Sequence, residues 1–202
     1  MASKEKHTVI LIPGLGDDRL ISKKILTSAT NYWSASGLEV LFHPVLWRNG
    51  ESFHPKLLKL VKLIDELSSP AKKVSLVGTS AGASLAFTAF YERSEKLHKA
   101  VNVCGRLRTG NHAVRSLSNM AKTSPAFYES VQTFEKHESQ LTSVQRQRLM
   151  TIRPFFGDEL VPRDTAYLDG AHNQWIYTPT HMLSIYASLR FSNLIIPFLM
   201  SN

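Results

Sequence analysis

Short β-branched apolar runs alternate with amphipathic stretches along nearly the whole chain, and this alternation limits the fold more than any other feature. His7 to Ile12 is such a run, ending at the turn Pro13-Gly14-Leu15-Gly16. Arg19 to Ser36 predicts a helix stopped by Gly37, and Leu38 to Leu46 a strand. His54 to Leu67 carries Leu57, Leu60, Val61, Ile64 and Leu67 at the spacing of one helical face. Further strands are expected at Lys73 to Val77, Lys99 to Cys104, Thr151 to Phe156 and Gln174 to Tyr177. Between them lie helices at Ala81 to Tyr91, Ser143 to Leu149 and His181 to Leu189, and a short one near Asp164 to Leu168. The apolar run Leu194 to Met200 reads as a core-packed terminal helix. About six strands alternating with helices predict an α/β fold: one mostly parallel sheet with helices on both faces. At 202 residues the chain makes a single domain with one substantial core.

In such sheets ligands bind beyond the carboxyl ends of the strands, so residues with chemistry should follow strands. Gly78-Thr79-Ser80-Ala81-Gly82 does so, as a G-x-S-x-G pattern between a strand and a helix. By residue usage alone a chain this long matches that pattern by chance about 5% of the time, so its context carries the weight. A tight strand-to-helix turn needs small neighbours. It pushes the Ser80 hydroxyl outward and puts the Ala81 N–H at a helix start, where the dipole favours a developing oxyanion.

A serine needs a base to act as a nucleophile. Of the eight histidines, His7 and His172 belong to the opposite sheet edge. His54 and His98 lie near helix ends or before strands, His112 and His137 fall in a strandless segment, and His43 has no acid beside it. His181 follows the last strand through Thr178-Pro179-Thr180 and opens the last long helix, at the correct edge. Asp158, just past the preceding strand, is the expected orienting acid; its bland alternative is a turn cap. Glu159 should point elsewhere. The loop Pro13 to Asp18 follows the first strand, and the backbone N–H of Leu15 is the expected second oxyanion donor beside Ala81. Asp17 or Asp18 would cap the next helix.

The PGLGD loop, GTSAG, DELVP and the histidine of THMLSIY, in that order, resemble an α/β-hydrolase over nearly all of the chain. The resemblance implies Ser80 as nucleophile, Asp158 as orienting acid and His181 as general base. It implies a serine hydrolase of small to medium acyl esters, including lactones, working through an acyl-enzyme. A thioesterase or acyltransferase uses the same groups, and a non-catalytic binding protein on this fold is the alternative of a different class. The chain departs from the family in having Pro13-Gly14 where His-Gly is frequent, and in lacking two N-terminal strands of larger members.

Residues 106–149 contain no expected strand. Ser124-Pro125 reads as a helix start, with Phe127, Val131 and Phe134 on one face. The segment either folds over the ligand-binding edge as a lid or packs on the sheet as an ordinary excursion. In the first case Phe127, Val131 and Phe134 join Gly14 and Thr79 in contacting substrate. The net charge of +8 is assigned to solvated faces, such as that of Lys56, Lys59 and Lys62, rather than to a nucleic-acid partner. No cofactor or metal is expected, since there is no Cys/His cluster and no G-x-G-x-x-G. One cysteine, no signal-peptide pattern and no membrane-length apolar run point to a cytoplasmic protein whose partner is a small-molecule ester. The oligomeric state is not legible.

Overall fold

The computed structural model describes residues 6–111, 117–191 and 193–201; His112 and part of the 106–149 segment lie outside them. Six strands form one sheet: β1 (Lys6–Ile12), β2 (Leu38–Phe42), β3 (Lys72–Thr79), β4 (Ala100–Val103), β5 (Leu149–Pro154) and β6 (His172–Ile176). The helices are α1 (Leu20–Thr30), α2 (Phe53–Leu67), α3 (Gly82–Glu92), α4 (Leu117–Ala121), α5 (Pro125–Glu138), α6 (Ser143–Arg146), α7 (His181–Arg190) and α8 (Ile195–Met200). All strand pairs are parallel, in the order β2-β1-β3-β4-β5-β6.

The two-residue period of the strands sorts the core into two layers. Ile10 and Ile12 of β1 pack with α2, α3 and α5, whereas Val9 and Leu11 face α1, α7 and α8. The chain leaves β1 toward β2 and returns to β3 on the other side of β1. That reversal opens a crevice at the carboxyl ends of β1 and β3, the place where ligands bind in sheets of this kind. Register pairs Ile12 with Gly78, so the loop after β1 and the turn after β3 start side by side.

Several elements are shorter than the pattern suggests. The first helix stops at Thr30 and tightens into a 3-10 helix, Asn31–Ser36. There the Trp33 indole N–H donates to the carbonyl of Leu189 at 2.9 Å. The second strand ends at Phe42, not Leu46. Pro44 has no N–H for a ladder, and the Asp17 carboxylate gathers the amides of Val45 (2.7 Å), Leu46 (2.5 Å) and Trp47 (3.4 Å). Asp17 therefore clasps this loop instead of capping α1, whose N-cap position, Arg19, has no side-chain cap. Only one helical turn forms after Thr142, because Leu149 is already paired with Ala100 in the sheet.

Lys56 is not on a solvated face. It is 1% exposed, and its ammonium donates to the carbonyls of Val45 (3.2 Å) and Leu46 (2.8 Å) and to Asn49 Oδ1 (2.7 Å). Among the described residues no helix is long and apolar enough to cross a membrane.

Candidate active site

β3 is buried along most of its length and runs directly into Ser80. The Ser80 N–H still donates to Val103 O at 2.9 Å, and its carbonyl accepts from Ala83 N–H at 3.1 Å. The residue thus belongs to the sheet on one side and to the helix entry on the other. Its φ is +51°, a left-handed conformation that costs a non-glycine residue roughly 1–2 kcal/mol. The strain exists because the chain must reverse within one residue, and it turns the hydroxyl out of the sheet edge.

The small neighbours are sterically required. A Cβ on Gly82 would stand 2.2 Å from the carbonyl oxygen of Ile12, so α3 presses directly on the end of β1. A Cβ on Gly14 would lie 2.8 Å from Ser80 Cβ and 3.2 Å from Ser80 Oγ. The loop after β1 therefore passes within contact of the serine. It is held there by the Trp47 indole N–H, which donates to Pro13 O at 2.9 Å, and by the Asp17 clasp on Trp47 and its neighbours. Leu15 and Ala81, the expected oxyanion donors, flank the serine on the loop and the helix entry. Neither backbone N–H donates to another described residue.

Ser80, His181 and Asp158 form a continuous hydrogen-bonded line. His181 Nε2 is 2.9 Å from Ser80 Oγ, and His181 Nδ1 is 2.7 Å from Asp158 Oδ2. An ionised carboxylate only accepts, so Nδ1 carries the proton in the neutral ring and Nε2 accepts from the serine. The other carboxylate oxygen, Asp158 Oδ1, accepts the N–H groups of Leu160 (2.8 Å) and Val161 (2.9 Å). That pair fixes the acid's rotamer. Asp158 and His181 are buried and Ser80 is partly exposed.

Sequence reasoning set Glu159 aside, but it has a place here. Both of its oxygens accept the His181 backbone N–H, at 3.0 and 2.9 Å, where a negative charge suits the start of α7. Thr180 caps the same helix by accepting the N–H of Leu183.

A cavity of about 460 Å³ opens above Ser80. Gly14 and Thr79 line it, as do Leu15, Ile25 and Leu26 on one wall and Leu160, Met182 and Ile185 on the other. Phe127, Val131 and Phe134 do not. They belong to the core layer of α2 and α3, with Phe134 edge-on to Phe87 and Phe127 edge-on to Trp47. Buried serines join α5 to α3, Ser84 Oγ to Ser130 Oγ at 2.7 Å. The apolar face of α5 is thus spent on packing and contributes nothing to the lining of this cavity. Within the 106–149 segment, α5 packs on α2 and α3.

Cys104 directly follows β4 but is 1% exposed. Burial, and then the charges of Asp158 and Glu159, push its thiol well above the ordinary range. Only a thiolate reacts readily. Thiol reagents at pH 8 are therefore expected to leave the folded protein unlabelled and to label it once in 8 M urea (roughly enough to unfold a domain of this size), as read by mass spectrometry. Among the described residues no group of three or more His, Cys, Asp or Glu side chains is placed to hold a metal ion.

No family model matches the sequence, and no curated protein does. Solved structures match closely in shape at low identity. One is from the metagenome-derived lipolytic enzymes LipS and LipT, with 13% identity, a TM-score of 0.65, 96% of this chain covered and 91% of that one. A second is the monoacylglycerol lipase of Paleococcus ferrophilus, with 14% identity, a TM-score of 0.66, and 96% and 94% covered. A third is the thioesterase domain from the curacin biosynthetic pathway, with 16% identity, a TM-score of 0.63, and 96% and 92% covered. With its six parallel strands, its two helical layers and its sharp serine turn at the sheet edge, the chain has the α/β-hydrolase fold.

Proposed function

We propose that the protein is a serine hydrolase of carboxylic esters. The observation that carries this reading is the unbroken line from Asp158 through His181 to Ser80, with hydrogen bonds of 2.7 and 2.9 Å. In this reading His181 takes the Ser80 proton as the oxygen attacks the ester carbonyl. The N–H groups of Leu15 and Ala81 stabilise the oxyanion, and Asp158 stabilises the imidazolium. Collapse of the tetrahedral intermediate breaks the bond to the alcohol, which leaves with the proton from His181. Water, deprotonated by the same histidine, then releases the acid and restores Ser80. Lactones fit the same sequence, with the leaving hydroxyl kept in the product.

Lipolytic enzymes and a thioesterase domain share the fold, so thioesters are the second class to assay. The test is labelling by a fluorophosphonate, with turnover of 4-nitrophenyl esters from acetate to palmitate and of matched thioesters. A single adduct on Ser80 and ester turnover are expected. No adduct and no turnover on either series would leave a non-catalytic binding protein.

Acyl length is expected to be read by the α1 and α7 walls, not by α5. Ile185→Trp should shorten the preferred acyl chain by about two to four carbons, since the added ring fills space in a site where volume sets selectivity. Phe127→Leu should leave the length profile where it was. The 4-nitrophenyl series measures both.

A further inference from the structure

The cavity above Ser80 is apolar on both walls, yet two exposed arginines belong to its lining: Arg19, from the end of the loop after β1, and Arg48, from the turn beside the Asp17 clasp. Elsewhere arginines are held by the protein. Arg108 pairs with Glu138, Arg93 with Asp65, Arg148 binds the carbonyls of Ser94, Leu97 and His98, and Arg163 lies over the Trp175 ring. Among the described residues, neither Arg19 nor Arg48 hydrogen-bonds or pairs with a carboxylate through its side chain.

The nearby acids are already committed. Asp17 holds three backbone amides, Asp158 holds His181 and two amides, and Glu159 holds the His181 N–H. Asp18 is exposed and next to Arg19 in the chain, and among the described residues it pairs with neither arginine. The cavity therefore combines a hydrophobic wall for a carbon chain with two arginines that pair with no described carboxylate. Such a site concentrates anions, and a planar guanidinium binds carboxylate or phosphate oxygens in pairs.

Resting on the esterase reading, we infer that the substrate is an ester carrying an anionic group, a carboxylate or a phosphate, separated by a short carbon chain from the carbonyl that Ser80 attacks. Arg19 and Arg48 bind that group and so select the substrate. Both side chains are solvent-accessible, so the effect is moderate: roughly tenfold for the pair, and weaker as salt rises.

The experiment compares three 4-nitrophenyl esters: the monoester of suberic acid, its methyl-capped neutral counterpart, and the ester of 6-phosphonooxyhexanoic acid. At low salt the wild type should favour at least one anionic ester over the neutral one by about tenfold in kcat/KM, mostly through KM. Whichever anion gains more identifies the carboxylate or the phosphate as the source. In Arg19→Gln/Arg48→Gln the anionic-to-neutral ratio should fall close to one, and in Arg19→Glu/Arg48→Glu it should drop below one. Turnover of the neutral ester with no anionic preference, or a preference that survives the double substitution, overturns the inference and leaves the esterase reading standing. If no ester is turned over, the esterase reading falls. Calorimetric titration of Ser80→Ala with monomethyl suberate and with 6-phosphonooxyhexanoate then decides: binding lost in Arg19→Gln/Arg48→Gln supports the anion site, and absence of binding rejects it.

Discussion

Ser80→Ala is expected to lower kcat for ester hydrolysis by about 10⁵–10⁶-fold, because in the proposed mechanism it removes the atom that forms the acyl-enzyme. His181→Ala should lose about as much, and the double variant little more. A nucleophile without its base, or a base without its nucleophile, leaves only the oxyanion donors and the cavity. Stability should respond differently. Alanine at position 80 keeps the strained φ of +51°, so its urea midpoint should stay near that of the wild type. Ser80→Gly, equally inactive, relieves the left-handed strain and should gain about 1 kcal/mol. An inactive yet more stable glycine variant is the signature of strain held for the chemistry. Wild-type turnover by Ser80→Ala would remove the serine from the reaction.

Gly82→Ala should be among the most damaging single-methyl changes in the chain. The new Cβ would meet Ile12 O at 2.2 Å, and Ile12 C and Pro13 O at 2.8 Å each. These are backbone atoms at the end of a central strand, so relief requires α3 or the loop after β1 to move. Overpacking of this kind costs about 3 kcal/mol or more. It also displaces the Leu15 N–H, so activity should fall even in the fraction that folds. Gly16→Ala is the control. Its Cβ would meet only the Ser22 hydroxyl, at 3.2 Å, a flexible group that can turn aside, and the cost should stay below about 1 kcal/mol. Urea unfolding of the two variants measures the contrast; equal stability would mean that the β1–α3 contact is looser than the structure has it.

The strand-turn-helix at Gly78 to Gly82 was legible because its cause is local: small residues on both sides of a polar corner admit few other conformations. His181 and Asp158 were legible for a reason of topology. In a parallel sheet every strand delivers its following loop to the same edge, so chain order predicts proximity. The bond of 2.7 Å between them joins residues one strand-to-strand unit apart.

The wall of the cavity was not legible. Phe127, Val131 and Phe134 repeat at helical spacing whether the helix covers the sheet edge or packs on α3, and the pattern is the same in both cases. Lys56 misled for a similar reason. It shares a helical spacing with Lys59 and Lys62 that reads as a polar face, but the carbonyls of Val45 and Leu46 that accept its protons arrive from another segment. Glu159 was set aside because adjacent side chains near a turn point apart, yet the start of α7 offers it a backbone N–H instead of a side chain.

The amino-acid pattern by itself determined the alternation of strands and helices, the edge of the sheet where Ser80, Asp158 and His181 meet, and the order serine, acid, histidine along it. These follow from hydrophobic period and turn sterics, which act over a few residues. Only the tertiary structure decided that α1 and α7 wall the cavity while α5 lies in the core, and that Arg19 and Arg48 line the cavity paired with no described carboxylate. Those outcomes depend on which face of the sheet each crossover takes and on which partners distant segments bring, and no short stretch of sequence encodes either.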